Sequence, residues 1–434
     1  MSDWTFDELK KWDEKICKVA ESYGLSWYPI NYEVCDYYEM IGHMSYHGMP
    51  SHYQHWAYGK SFERTHQMYN LGAEGLPYEL IINSNPSIAY LMRQNPAYLQ
   101  ILIMCHCVGH SDFFKNNRIF KDTKAETVVS QMRNSRKRIQ SYIENPNIGL
   151  LKVEKFLDAL HAVRFQTERS GKRRQAKEEI KKNLISMINS GTIEGKTVNL
   201  KKRLLQPDYD FLGFLIEYGD HLEDWQKDIV NIVREESLYF IPQMKTKILN
   251  EGWASFWHYK LMNEIDLPQE HHIPFLKSHN QVICPHVGAL NPYHLGFYLF
   301  KKIEEEKGLE ECFLIREIHD DESAIRCYFD IEDFRKLNLF SYSPKKKEVT
   351  IDEVSDLKGW KAVRNDFLRN IGINSIPSIF VSDITNEGTL MLQHDHDGRD
   401  LSLDDAEAVI DHVSHLWTNN VKFFTVVEDE LWEI

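Results

Sequence analysis

Two histidines, four residues apart, are the clearest chemical signal in the sequence. They are His106 and His110, in the segment HCVGH at the end of an apolar run. On a helix this spacing places both imidazoles on one face, so that two nitrogens can bind one metal ion. The H-E-x-x-H helices of zinc peptidases use the same spacing. The chain has 20 histidines, so the alternative is a chance pair of ordinary helix residues.

Glu251, far downstream in the segment NEGWASFWH, is the candidate third ligand. Gly252 and Ala254 flank it, and small residues there would let two helices approach, as in one large class of zinc hydrolases. Two histidines and one glutamate would meet the need of a catalytic zinc for three protein ligands and an open fourth position. His258 shares the helix face of Glu251, as a fourth ligand or as a residue that orients a ligand. The alternative for Glu251 is a buried carboxylate paired with an arginine or histidine.

The proton acceptor of this site is not given by the motif. Position 107 is Cys, where H-E-x-x-H enzymes carry the glutamate that accepts a proton from metal-bound water. Glu79, Asp112 and Glu33 are candidate catalytic replacements, and the sequence does not choose among them. The alternatives are a structural metal ion or a site that has lost its activity.

Two further segments are rich in histidine. In GMPSHYQHWAYGKSFE we predict that His52, Tyr53 and His55 line a substrate pocket; the alternative is polar core residues bonded to the backbone. The run HDHDG at 394–398 resembles a metal-binding loop in composition. It is shorter than a calcium loop, and a turn rich in Asp and Gly is the better interpretation.

Helices are expected to carry most of these residues. The apolar run at 86–114 predicts two helices, the second beginning near Asn95-Pro96 and carrying His106 and His110. Helices are also predicted within 1–25, 121–205 and 220–262.

From about residue 320 the pattern changes to short β-branched or aromatic runs, which predict strands. These runs are RCYFDI, EVTI, SIFVSDI, GTLMLQHDH and KFFTVVED, with the helix DAEAVIDHVSHLW between the last two. The expected fold class is α+β. A mostly helical main domain at 1–320 would resemble a zincin-like helical metallohydrolase, and 321–434 would form a small α+β domain.

Composition limits the partners and the location. The 434 residues are 42% hydrophobic and carry a formal charge of −14, which disfavours nucleic acid and anionic membranes as general partners. There is no run of 18 apolar residues and no signal-peptide pattern, so we expect a cytoplasmic protein without membrane insertion.

The seven cysteines are scattered and predict free thiols. The basic segment ERSGKRRQAKEEIKKN predicts a solvated connection, or a docking site for an acidic partner.

Five long motifs together resemble one known family. GMPSHYQHWAYGKSFE, GLPYELIINSNPSIAYLM, HCVGHSDFFKNN, NEGWASFWHY and LNPYHLGFYLF occur in this order, as in SpoVR (stage V sporulation protein R) proteins. The resemblance covers nearly the whole chain. It implies a bacterial sporulation protein linked to formation of the spore cortex, or, in bacteria that form no spores, a protein that accompanies a PrkA-like serine kinase. The resemblance supplies no biochemical activity.

Two functions therefore stay open. The first is a zinc-dependent peptidase or amidase that acts on a peptide, a protein or a cytoplasmic cell-wall precursor. The second is a non-catalytic regulatory or scaffold protein that has a structural or degenerate metal site and works with a serine kinase.

Overall fold

The computed structural model describes residues 3–71, 79–169, 174–194, 198–200, 202–285, 290–345 and 348–434. In chain order the helices are α1 (Phe6–Ser22), α2 (Tyr37–Ser45), α3 (Trp56–Asn70), α4 (Ala97–Asn116), α5 (Val128–Glu144), α6 (Leu150–Val163), α7 (Lys177–Asn189), α8 (Phe211–Tyr218), α9 (Asp224–Lys245), α10 (Lys247–Glu264), α11 (Gln269–Val282), α12 (Pro292–Lys307), α13 (Leu309–Ile318), α14 (Asp321–Tyr328), α15 (Ile331–Lys336), α16 (Trp360–Arg369) and α17 (Leu403–Trp417). The strands are β1 (Ile30–Cys35), β2 (Glu79–Ile82), β3 (Ser87–Met92), β4 (Ser341–Lys345), β5 (Glu348–Glu353), β6 (Ile379–Ile384), β7 (Leu390–His394), β8 (Val421–Val427) and β9 (Glu430–Glu433).

The chain forms two compact units, each made of two stretches of sequence. Unit 1 is Met1–Lys137 with Pro242–Ser375, and unit 2 is Arg138–Ile241 with Ile376–Ile434. The mostly helical α+β class expected from the sequence is confirmed. Residues 321–375, expected in the C-terminal domain, belong to unit 1. No helix in the described part of the chain is long and apolar enough to cross a membrane.

A three-stranded sheet in unit 1 has the order β1-β3-β2, with β3 parallel to β1 and antiparallel to β2. Glu79 pairs directly with Leu91, and such pairs share one face of a sheet. The sequence prediction of a helix in the first half of 86–114 was wrong, because Ser87–Met92 is the central strand of this sheet. A short apolar run fits a buried strand as well as a buried helix. Here the run forms a strand because it pairs with sheet partners elsewhere along the chain.

Helix α4 lies at the centre of unit 1. Every residue from Leu99 to Phe114 is buried, which explains why its sequence is apolar on all sides rather than along one stripe. Asp3 accepts a hydrogen bond from the first backbone N–H of α4, at Ala97, over 2.9 Å. The predicted helix carrying both histidines is confirmed.

Helices α4, α10 and α12 pack closely because small residues lie where they cross. A Cβ atom added to Gly109 would lie 2.7 Å from Cα of Ala254 on α10. A Cβ added to Gly252 would lie 2.3 Å from the backbone of Gly296 on α12. Aromatic side chains then fill the surrounding core, including the fully buried Trp253, Trp257 and Phe300. The predicted approach of the two helices that carry the histidines and Glu251 is present at Ala254, whereas Gly252 lies where α10 crosses α12.

In unit 2, a four-stranded sheet has the order β6-β7-β8-β9. The predicted strands SIFVSDI, GTLMLQHDH and KFFTVVED and the helix between the last two correspond to β6, β7, β8 and α17. EVTI lies within β5, in unit 1. The strand predicted for RCYFDI was wrong: it spans the end of α14 and the start of α15. Asp320 and Asp330 each cap one of these helices. Capping favours the helical state here over the strand state that the aromatic residues favour.

Candidate metal centre

His106 and His110 lie one turn apart on α4, with 2% and 4% of their surface exposed. Their ring centroids are 4.5 Å apart. The four-residue spacing therefore places both imidazoles on one buried helix face, as predicted.

Two carboxylates face these histidines from different elements. Oε2 of Glu251, on α10, lies 3.4 Å from Nε2 of His110 and 3.7 Å from Nε2 of His106. Oε1 of Glu79, at the start of β2, lies 3.6 Å from Nε2 of His106. Ligand atoms on a tetrahedral zinc, with bonds of about 2.0–2.1 Å, are roughly 3.3–3.4 Å apart. These three nitrogen–oxygen separations are therefore close to those between ligand atoms around one ion.

A set of three potential ligand atoms from Glu79, His106 and His110 lies within 4.8 Å of one another. Nε2 of His106 and Oε2 of Glu251 are both buried without a hydrogen-bond partner among the described residues. Such buried polar atoms are rare in folded proteins. A cation between them would satisfy both, so the residues fit a metal ion.

The pKa values of Glu251 and His110 depend on burial and on the charge that each residue places beside the other. Burial alone would raise the pKa of Glu251, but the imidazoles of His106 and His110 hold this pKa below its ordinary value. Burial lowers the pKa of His110, and the carboxylate of Glu251 more than offsets it, so that the pKa is raised. Glu251 is therefore ionised at neutral pH and available to a cation.

Asn250 orients His110. Its side-chain oxygen lies 2.9 Å from Nδ1 of His110. An amide oxygen only accepts hydrogen bonds, so Nδ1 of His110 carries a proton and donates to Asn250, and a bound metal ion would take the lone pair of Nε2. Asn250 directly precedes Glu251 on α10, so one helix turn supplies both the carboxylate and the group that orients the histidine.

His106 is the first of three buried histidines in a row. Its Nδ1 lies 2.9 Å from Nδ1 of His258, and Nε2 of His258 lies 2.7 Å from Nδ1 of His279. His258 thus contacts the nitrogen of His106 that points away from the carboxylates. Both roles predicted for His258 assume a metal ion on His106, and His258 contacts the ring nitrogen of His106 that lies away from Glu79 and Glu251. His279 was not singled out from the sequence, because nothing in its spacing links α11 to the cluster.

Of the three candidate proton acceptors, the structure brings only Glu79 to the histidines. Asp112 accepts hydrogen bonds from Nε1 of Trp253 and the backbone N–H of Ser26, at 2.9 and 2.8 Å. Burial raises the pKa of Asp112 to about 6, partly offset by Arg316. Glu33 is exposed and pairs with Tyr90, the neighbour of Leu91, so it lies on the sheet face opposite to that of Glu79.

Cys107 occupies the place of the glutamate in H-E-x-x-H helices. It is fully buried, and burial raises the pKa of its thiol well above the ordinary value. The thiol therefore stays protonated and accepts no proton from a reacting water. All cysteines are free thiols, as predicted.

Tyr293, near the start of α12, is a further residue of the cluster that sequence reasoning missed. Its ring centroid is 6.1 Å from that of His106. The charge of Glu251, together with burial, raises the pKa of the Tyr293 hydroxyl well above its usual value. Asn291 caps α12 by accepting from the backbone N–H of Tyr293 at 3.0 Å. The motif LNPYHLGFYLF contained this residue, but the motif alone did not point to the site.

A cavity of about 970 Å³ in unit 1 opens beside the cluster. Glu79, His106, His258 and Tyr293 line it, and its size suits a small-molecule or peptide ligand.

The residues predicted to line a substrate pocket lie elsewhere. His52, Tyr53 and His55 are buried and are not among the described residues that line this cavity. Nε2 of His52 lies 3.3 Å from the hydroxyl of Tyr58, and Nδ1 of His55 accepts from the first turn of α3. They form an aromatic cluster around Tyr58, which agrees with the alternative of polar core residues.

The HDHDG run begins at His394, the last residue of strand β7, and its side chains form hydrogen bonds. His394 lies 3.0 Å from the hydroxyl of Thr425, and His396 lies 3.2 Å from Asp400. Asp397 pairs with Arg399. No metal-ligand cluster includes these residues within the described chain. Of the basic segment, residues 170–173 lie outside the described residues, whereas Arg174 pairs with Asp208 and Glu217.

Comparison with known proteins gives two family matches and one curated relative. Residues 3–376 match the family described as SpoVR like protein, and residues 377–428 match the SpoVR-like C-terminal domain. The boundary between them nearly coincides with the last passage of the chain between the units, after Ser375. Uncharacterized protein YcgB of Escherichia coli (strain K12) is 31% identical over 478 aligned positions, which cover 98% of this chain and 93% of the relative. No solved structure matches.

Proposed function

The chain belongs to the SpoVR-like family, and from this premise we propose that unit 1 is a zinc-dependent hydrolase acting on a peptide or amide bond. In this proposal His106, His110 and Glu251 hold the metal ion. The observation that carries it is the convergence of two Nε2 atoms and the Glu251 carboxylate at 3.4–3.7 Å, a ligand spacing that suits a tetrahedral zinc. Substrates would be a peptide, a protein or a cell-wall precursor. The link to sporulation comes from the family name.

The remaining residues have separate roles in this proposal. Glu79 is the general base, because it is the carboxylate nearest His106 that the ligand set does not use. The hydroxyl of Tyr293, whose raised pKa keeps it protonated, donates a hydrogen bond to the oxygen that becomes negative in the transition state. A bound zinc would polarise the substrate carbonyl and lower the pKa of a water molecule.

Metal content tests the site itself. Protein purified without chelators and without a histidine tag should contain about one zinc per chain. Glu251→Gln keeps the size of the side chain but removes the charge, so it should lose the metal while its circular dichroism stays unchanged. Glu270→Gln, at an exposed position on α11, is the matched control and should retain zinc. A Glu251→Gln protein that binds zinc as tightly as the parent would rule out this ligand set.

Hydrolysis tests the assignment of the base. Glu79→Gln should keep its zinc and lose activity on a fluorogenic peptide library by about 10²–10⁴-fold, the usual contribution of a general base. Glu33→Gln should leave the rate unchanged, since Glu33 lies on the other face of the sheet. If activity survives in Glu79→Gln, Asp112→Asn and Glu33→Gln alike, the base is none of these carboxylates.

A second function is favoured by the same four side chains. If Glu79 binds the ion together with His106, His110 and Glu251, all four tetrahedral positions are filled, which is typical of a structural site. Cys107 in place of the usual glutamate agrees with this alternative. The protein would then be a non-catalytic scaffold or regulator that works with a PrkA-like serine kinase. Loss of zinc from Glu79→Gln, without peptide hydrolysis by the parent protein, would favour it.

A further inference from the structure

The cavity beside the metal centre has apolar walls, and its described lining residues include one lysine and no arginine. Leu102, Ile248, Val282, Leu290 and Ile371 supply apolar surface, and Lys247 supplies the positive charge. An apolar wall favours an apolar ligand group. The charge of Lys247 then determines what else that ligand carries.

Lys247 lies close to the reacting centre because of helix geometry. It is the first residue of α10, four positions before Glu251. Residues four apart on a helix share a face, with Cβ atoms about 5–6 Å apart. The lysine side chain is long and flexible, and it lines the same cavity as His106, so its ammonium group is available to a ligand in that cavity.

No described residue uses the charge of Lys247. Its side chain is exposed and takes part in no ion pair with the described residues. The two acidic lining residues have other partners. The two oxygens of Asp321 accept the backbone N–H groups of Ile248 and Leu249, both at 2.9 Å. Oε1 of Glu79 lies 3.6 Å from Nε2 of His106. Asn291 is engaged as well, donating to the carbonyl groups of Val282 and Cys284.

We propose that this cavity binds an amphiphilic anion, in which an apolar chain or ring carries a carboxylate that pairs with Lys247. The inference rests on the proposed function only for the position of the scissile bond, next to Glu251. In that frame the substrate is an amide or peptide with an apolar group and a free carboxylate close to the bond that is cleaved. Lys247 is then a specificity-determining residue.

The test uses two probes of equal size, 5-phenylpentanoate and the neutral 5-phenylpentanamide. Their affinities are measured by calorimetry at low salt, with full-length protein in both its metal-free and zinc-loaded forms. The acid should bind about fivefold tighter than the amide, as a partly exposed ion pair allows, and added salt should reduce the difference. Lys247→Gln should abolish this preference and Lys247→Arg should keep it. Lys277→Gln, at an exposed position on α11, is the control and should behave like the parent.

Three results would overturn the proposal: equal binding of the two probes, binding of neither, or a preference for the acid that persists in Lys247→Gln. A phosphonate of the same length separates the two sources of an anion, and tighter binding of the phosphonate would overturn the carboxylate assignment. Zinc content is measured separately on the same samples. A protein that binds no zinc but prefers the acid would refute the hydrolase proposal and leave this one standing.

Discussion

The two nitrogens of His106 have different surroundings, and this difference gives the buried histidine row a direction. If Nε2 of His106 binds a metal ion, Nδ1 of His106 must carry the ring proton. This N–H then donates a hydrogen bond to Nδ1 of His258. His258 then carries its own proton on Nε2 and donates to Nδ1 of His279, over 2.7 Å. One chemical requirement at the cluster therefore sets the tautomers of all three rings.

Removing the far end of the row should weaken metal binding. His279→Leu leaves the buried Nε2–H of His258 without an acceptor, so that His258 can turn and release His106. We expect zinc affinity to fall about tenfold, the lower end of the usual range for residues behind a ligand, in competition titrations with a chelator. His272→Leu, on the same helix, should leave the affinity unchanged. Equal affinities for both variants would contradict the role of the row.

The same histidine predicts a pH dependence of stability. Burial lowers the pKa of His279 to about 4 from its ordinary value of 6.5. Between these values the unfolded chain binds a proton that the folded protein does not, so the free energy of unfolding falls as the pH falls. Urea unfolding of the metal-free protein should show about 2 kcal/mol lost through this group between pH 7.5 and pH 5. His279→Leu should lose correspondingly less, and an equal loss would contradict the prediction.

What the sequence revealed at this scale was the group of side chains that local spacing brings together. His106 and His110 share a helix face at any position in a fold, and the small neighbours of Glu251 signalled a close helix crossing. Tyr293 and His279 reach the site from α12 and α11 through packing, and packing of separate helices leaves no spacing pattern. Glu79 was one of three candidate bases until strand pairing fixed the face on which it lies.

At the level of elements, the site depends on how closely α10 approaches α12. Gly296→Ala would force a Cβ into the backbone of α10, since the nearest atom, the carbonyl oxygen of Ile248, would be 2.1 Å away. We expect the free energy of unfolding to fall by about 3 kcal/mol, the upper end of the usual cost of overpacking, in urea unfolding. Zinc affinity should fall too, because the displaced helix carries Glu251.

Gly42→Ala on α2 is the matched control. A Cβ at Gly42 would meet nothing within 4 Å, so the change should raise the free energy of unfolding by about 0.5–1 kcal/mol through helix propensity. If both variants change stability by similar amounts, the helix crossing is not a tight constraint.

The type of element, helix or strand, was predictable where local sequence signals such as length, proline and turns determine it. α4 is long and carries its proline at the start, and β6, β7 and β8 are separated by turns. The two errors, at Ser87–Met92 and RCYFDI, are short runs whose residues suit either state. A sheet partner fixed the first as a strand, and aspartate caps fixed the second as two helices.

For the whole molecule, zinc binding should affect the two units differently. Because all proposed ligands lie in unit 1, zinc stabilises states in which α4 and α10 are folded. In hydrogen exchange, peptides from 97–116 and 247–264 should become protected on addition of zinc, while peptides from β6 to β9 should not change. Protection confined to unit 2 would place the metal elsewhere.

The division into units could be predicted only in part. The strand-rich pattern near the C-terminus was visible, but residues 138–241 read as a continuation of the helical domain. Their helical periodicity is the same as that of unit 1, and periodicity does not report which core a helix joins. Contacts between distant stretches decide that, such as the hydrogen bond from Gln166 to the carbonyl of Pro377.

The split of unit 1 into Met1–Lys137 and Pro242–Ser375 also orders events during translation. Glu79, His106 and His110 leave the ribosome first, and Glu251 follows only after the whole intervening stretch Arg138–Ile241 has been made. A nascent chain therefore carries only part of the proposed metal site for more than a hundred codons. Ribosome-bound chains halted before and after Glu251 should differ in their capture of zinc, so that the ion reports how far synthesis has advanced.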